Sequence, residues 1–230
     1  MKASAFAAIS LAATLILQSA ADAQTAADDF YNRGFDKQIG GDLDGAIADY
    51  TRALKLNPKL NEAYYNRGLV QQMKGFLGEA IDDFTRALEL NPNLDQAYNN
   101  RGIAHYNKGH LDSAIADYTS ALKIKPNFDS YSNRGAARGE KRDFDGAVSD
   151  FTSALKLNPK SDVILANLER AKRELGQNAK ESKSQSTKPN SNKSENPEQQ
   201  SKSKAGETSL KDAFQKQLDE DYYKIFSRRP

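Results

Sequence analysis

The chain has 230 residues, 38% hydrophobic and 28% charged, with 33 Lys+Arg against 31 Asp+Glu, two His, no Cys and no Trp. A net charge of +2 supplies no long-range field for gathering nucleic acid or an anionic membrane. The missing cysteines exclude a disulfide framework, a thiol nucleophile and thiolate metal sites, and two histidines leave little from which to build acid–base or metal chemistry.

In chain order, residues 1–23 read as a secretory signal peptide. Lys2 gives a positive start, Ala5 to Leu17 form an apolar run broken only by Ser10 and Thr14, and Ala21-Asp22-Ala23 ends in small residues. The run is shorter than the ~20 apolar residues of a spanning helix. Cleavage is expected before Gln24, which exports the remainder to the periplasm first of all, or to the medium. Stability there must come from packing, since no cross-link is available.

Residues 24–175 are a repeat array with a terminal cap. Asn-Arg-Gly ends at Gly34, Gly68, Gly102 and Gly135, and a proline closes each unit at Pro58, Pro92, Pro126 and Pro159. Small residues return at Ala46, Ala80, Ala114 and Ala147, and aromatics at Tyr50, Phe84, Tyr118 and Phe151. A second aromatic precedes each glycine, at Phe30, Tyr64, Tyr98 and Tyr131. Two antiparallel helices approach closely only where side chains are small, so glycine on the first helix and alanine on the second mark their crossing, with the aromatics beside it. The units are 27–60, 61–94, 95–127 and 128–160, eight helices in all, and 161–175 form a capping helix. Asp42, Asp112 and Asp143 are candidate caps of second helices.

The segments "AYYNRGLVQQMKGFLGEAIDDFTRALELNP" and "AYNNRGIAHYNKGHLDSAIADYTSALKIKP" carry a resemblance to the tetratricopeptide repeat family over residues 27–160. The resemblance implies an all-α fold, an α-solenoid of four helix pairs that binds proteins or peptides without a cofactor. The sequence departs from the family in two ways: the position before the glycine, often apolar there, is Arg33, Arg67, Arg101 or Arg134, and the fourth unit has lost one residue near Ser130. Each unit also carries an acid on its second helix, at Asp49, Asp83, Asp117 and Asp150, so ion pairing is the expected use of these arginines.

A stacked helix-pair array curves, and its first helices line a concave groove. Counting from each glycine, the groove is expected to contain Tyr31, Asn32, Phe35 and Gln38; Tyr65, Asn66, Leu69, Gln72 and Met73; and Asn99, Asn100, Ile103, Tyr106 and Asn107. The fourth unit adds Asn133, Ala136 and Glu140. The four-fold asparagine slot suits two readings equally: amide bonds to a bound backbone, or bonds within the array. Some family members clamp acidic chaperone tails with Lys, Arg and Asn, but Tyr31, Phe35 and Ile103 fill the basic slots here. His105 and His110 are five apart, off a common helix face, and Asp-x-Asp-Gly at 42–45 and 143–146 lacks the remaining ligands of a calcium loop. No metal, cofactor or enzyme activity is expected.

Residues 176–208 contain no large apolar side chain, which predicts a disordered linker. Beyond it, Leu210, Phe214, Leu218, Tyr222 and Ile225 make an amphipathic stripe, so 209–230 is read as a short tail helix. The leading functional expectation is an envelope adaptor or scaffold that holds a protein or peptide in the groove, with weak membrane contact at most. The alternative is an envelope-tethered scaffold acting through the tail helix, which could also dock in its own groove as an autoinhibitory plug.

Overall fold

The computed structural model describes the backbone of residues 2–186 and the side chains of residue 18 and residues 21–180. Contacts divide the chain into Met1–Ser182 and Lys183–Pro230, and of the second unit only the end of one helix is described. The described residues form nine helices and no strand: α1 (Lys2–Ile39), α2 (Leu43–Leu56), α3 (Asn61–Met73), α4 (Leu77–Leu90), α5 (Asp95–Asn107), α6 (Leu111–Ile124), α7 (Phe128–Glu140), α8 (Phe144–Leu157) and α9 (Asp162–Ser186). Helices α1 to α8 are the four expected pairs, each packed on the next. The expected tail helix and linker residues 187–208 lie outside the described residues.

Local chemistry sets the boundaries. The residues that end the second helices, Asn57, Asn91, Lys125 and Asn158, have left helical geometry, because each precedes a proline whose ring disfavours it. The turn inside each pair needs a left-handed residue, supplied by Gly41, Gly75 and Gly109 at φ near +80° (84°, 80° and 78°). The fourth turn uses Arg142 at φ 64°. Asp42 and Asp143 cap α2 and α8 by accepting from the backbone N–H of Gly45 (2.9 Å) and Gly146 (3.0 Å). Asp112 does not cap: His110 holds the N-cap of α6, and Asp112 lies two residues inside it, where its carboxylate meets Lys141.

Two helix bounds differ from the sequence reading. α1 runs unbroken through residue 23, because neither Gly nor Pro occurs between Lys2 and Arg33 to stop it. α9 continues past 175 to Ser186, since Ala, Glu, Lys and Gln sustain a helix even where nothing apolar is left to bury, and the first proline comes at Pro189.

The glycines mark the close approach. A Cβ at Gly34, Gly68, Gly102 or Gly135 would come within 3.0, 2.9, 2.7 or 2.8 Å of the ring of Tyr50, Phe84, Tyr118 or Phe151, and Ala46, Ala80, Ala114 and Ala147 are fully buried alongside. α9 takes the place of a fifth first helix. Its Ile164, Leu168 and Ala171 pack on Ala147, Phe151 and Ala154, and Glu169 stands where a further unit would need its glycine. The array therefore ends there.

Lysine clasps tie successive units at the turns. Lys74 pairs with Asp44, and Lys141 with Asp112. Between the second and third units the acid's position is Gly78, whose Cβ would lie 3.8 Å from the Lys108 ammonium. Replacing Gly78 with Asp in the first turn of α4 restores the clasp, improves helix propensity and complements the helix dipole. It is expected to stabilise the array by about 1 kcal/mol, read from the urea midpoint, and Lys108→Ala should remove part of the gain.

Candidate functional site: the face of the first helices

The arginine that departs from the family pattern is the centre of each unit. Arg33, Arg67, Arg101 and Arg134 each fork onto both oxygens of Asp49, Asp83, Asp117 or Asp150, with Nε and Nη2 donating over 2.5–2.9 Å. All four carboxylates are buried, so a planar five-donor cation is better suited to them than an ammonium. Each guanidinium also lies over the aromatic three residues before it, Phe30, Tyr64, Tyr98 or Tyr131, at 4.7–5.8 Å.

The third guanidinium nitrogen reaches the preceding unit. Nη1 of Arg67, Arg101 and Arg134 donates to the hydroxyl of Thr51, Thr85 and Thr119 at 3.0, 2.9 and 3.0 Å. Each threonine in turn donates to its own helix, at Ile47, Ile81 and Ile115. Sequence reasoning missed these threonines, although they recur at the repeat period immediately after each aromatic. Arg33 has no unit before it, and there Asp49 gathers Lys37 and Arg52 instead, each at 2.9 Å. These donors, Arg33 foremost, hold the Asp49 carboxyl well below the ordinary carboxylate range.

The asparagine slot belongs to the array. Asn66 donates to the Tyr31 hydroxyl (3.0 Å), Asn100 to the Tyr65 hydroxyl (3.0 Å) and Asn133 to the Asn99 carbonyl (3.2 Å), so each amide joins its unit to the one before. Of the two expected uses, the bonds within the array are the ones formed at Asn66, Asn100 and Asn133; Asn66 and Asn133 are also buried, and Asn32, with no unit before it, is exposed. Three more expected groove residues face inward. Gln38 is 5% exposed and accepts from the Tyr50 hydroxyl at 2.7 Å, Ile103 is 4% exposed, and Tyr106, 3% exposed, donates to the Glu140 carboxylate. For Gln38 and Tyr106 the physical reason is one of spacing: the residue four after the glycine points along the same face as the glycine itself, towards the second helix.

What the first helices leave exposed or half-buried is a stripe at spacings of three, four and four: Asp28, Tyr31, Phe35 and Ile39 on α1, and Glu62, Tyr65, Leu69 and Met73 on α3. Gln96, Asn99 and Asn107 follow on α5, and Asp129, Ala136 and Glu140 on α7. α1 touches α3, α3 touches α5 and α5 touches α7, so the stripes adjoin. Phe35, Ile39 and Met73 are 37%, 39% and 43% exposed, large apolar side chains gathered at one end. Ile39, Asp28, Glu62, Gln96 and Asp129 were not among the expected contacts, though the helical spacing includes them. Two open hollows of about 430 and 320 Å³ lie elsewhere, at the α5–α6 turn and beside Phe30. Among the described residues no group of three or more His, Asp or Glu could hold a metal ion, and no helix is long and apolar enough to cross a membrane.

Residues 39–75 and 73–109 match a family model described as TPR repeat, and residues 96–128 one described as tetratricopeptide repeat. No curated protein sequence matches the chain. Among solved structures, the crystal structure of MamA protein aligns with a TM-score of 0.64 at 22% identity, covering 66% of this chain and 83% of that one. A tetratricopeptide repeat protein from Parabacteroides merdae aligns at 0.59 and 24%, covering 64% of this chain and 60% of that one. The first TPR of Spaghetti (RPAP3) bound to HSP90 peptide SRMEEVD aligns at 0.50 and 24%, covering 50% and 93%. At these identities the likeness is one of fold.

Two outcomes follow from the geometry. Asn66→Ala with Asn100→Ala removes two bonds between units and should lower the stability of the array by about 1 kcal/mol each, seen as a lower melting temperature by circular dichroism. His105 lies near Asp117, with Nε2 4.0 Å from the carboxylate and a buried Nδ1 that has no partner, and burial lowers its pKa from the ordinary 6.5. The folded state then binds this proton less readily than the unfolded state. The associated stability is full above pH 6.5 and falls as the pH drops through the lowered value; Asp49 acts in the same sense below its ordinary 3.8. His105→Gln, which copies Gln71 of the second unit, should abolish the loss of stability on going from pH 7 to about pH 5 in urea titrations.

Proposed function

Because the chain is a tetratricopeptide repeat protein, we propose that it works as a non-catalytic protein–protein interaction scaffold. Its first-helix face holds a peptide or protein segment. The observation that carries this reading is the stripe itself: the packing of the pairs leaves the large apolar side chains of Phe35, Ile39 and Met73 exposed. Exposed aromatic and Met side chains on adjoining helices are what partner surfaces recruit. The fold neighbour RPAP3 is described with a bound peptide, which accords with the same use of this architecture.

We further propose that residues 1–23 are a secretory leader and that the scaffold acts in the cell envelope, in the periplasm or the medium. The support is in the sequence: a positive start, an apolar run of signal length and a small-residue junction. Intact mass of the exported protein reads the junction, and a chain beginning at Gln24 is the expected result.

The binding role is tested by substitution on the face. Phe35→Ser with Met73→Ser should leave the melting temperature within about 1 °C of the parent, since both side chains are substantially exposed, and should cut partner capture from an envelope fraction about tenfold. Capture unchanged by both substitutions would place the binding surface elsewhere.

A further inference from the structure

The exposed stripe carries a charge pattern that selects its occupant, an inference that rests on the scaffold reading above. Four of its positions are acidic, Asp28, Glu62, Asp129 and Glu140, and none is Lys, Arg or His. The cations on the first helices are committed elsewhere. The four fork arginines, together with Lys37 and Arg138, bind the buried aspartates of the second helices, the turn lysines Lys74 and Lys141 bind Asp44 and Asp112, and Lys108, without an acid at that turn, reaches over Gly78. An array whose whole-chain charge is near zero thus presents one face with a local excess of negative charge.

Helix energetics accounts for only part of this pattern. Glu62 and Asp129 sit in first turns, where an acid complements the helix dipole. Glu140 is the last residue of α7, where a negative charge opposes that dipole. The Glu140 carboxylate is nonetheless held in place by the hydroxyl of the buried Tyr106, whose pKa is raised by burial and further by this bond. A fixed acid at an unfavourable helix end, on the same stripe as three other acids and the exposed Phe35, Ile39 and Met73, fits a ligand better than it fits the helix.

We propose that the first-helix face binds a basic amphipathic segment of a partner protein, its large apolar side chains seated on the Phe35–Met73 end and its Lys or Arg side chains on the acids. This is the opposite charge sense to the acidic SRMEEVD peptide of the RPAP3 structure. Opposite charges across an interface steer association and reject like-charged competitors, and the effect weakens as salt screens it.

The test uses the full exported chain and two labelled synthetic peptides of about 18 residues. They share one face of Leu and Phe, and the other face is Lys/Arg in one and Glu in its counterpart. Fluorescence anisotropy at about 50 mM salt should show the basic peptide binding about tenfold or more tighter, with the difference shrinking at about 300 mM. Glu62→Lys with Asp129→Lys should reverse the preference. If that pair unfolds the array, Glu62→Gln with Asp129→Asn keeps the shapes and should still weaken the basic peptide alone. Equal affinity for the two peptides, no binding of either, or a preference indifferent to the substitutions would overturn the proposal. The capture assay on Phe35→Ser with Met73→Ser reads the scaffold function separately, so that function can stand where the charge preference fails.

Discussion

A forked arginine on a buried aspartate closes every unit of this molecule, and the other features of the array are arranged around it. The carboxylates of Asp49, Asp83, Asp117 and Asp150 are nearly excluded from water, and a charge in that position is costly unless it is fully bonded. The guanidinium answers both oxygens at once and still has a nitrogen to spare. In the second, third and fourth units that nitrogen crosses to a threonine of the preceding unit, so a single side chain bonds its own second helix and its neighbour's. The bond that completes one unit is therefore also the bond that registers the next.

The two ends of the array show what the node requires. At the start, Arg33 has no threonine to reach and is the most exposed of the four, and Asp49 recruits Lys37 and Arg52 to complete its coordination. At the end, Thr152 keeps its bond to Val148, but Leu168 stands in the next arginine position and is buried with Ile164 and Ala171. Replacing a polar coupling by an apolar one is how the cap stops propagation: α9 covers the last pair and offers no partner for another. Inside, the fully buried Tyr118 hydroxyl and the Gln72 amide oxygen lack partners, and the positions of the bonded Gln38–Tyr50 pair of the first unit are held by Gln72 and Phe84 in the second and by Tyr106 and Tyr118 in the third. The units share a plan and differ in how completely each satisfies it.

These commitments shape what is left for binding. Because the arginines, the asparagines, Gln38 and Tyr106 are consumed in holding the pairs together, the exposed stripe is composed of apolar side chains at one end, amides in the middle and acids along its length. Its net negative character follows from the array's own bonding, which withdraws the positive charges of the first helices to the inner faces of the pairs.

The sequence by itself determined the repeat period, the helix pairs, the glycine–aromatic crossings at Gly34, Gly68, Gly102 and Gly135, and the pairing of the extra arginines with the second-helix acids. All of these are written as identities recurring at a fixed spacing, and periodicity is a property that one dimension preserves. Only the tertiary structure decided between the two readings of the asparagines. Whether an amide bonds a ligand or its neighbour turns on where the Tyr31 and Tyr65 hydroxyls lie one unit away, some 35 residues distant along the chain. It likewise decided that Gln38, Ile103 and Tyr106 face inward and that Asp112 clasps Lys141 rather than capping a helix. Spacing from the glycine fixes the direction of a side chain only to within a fraction of a helical turn, and the packed partner settles the rest.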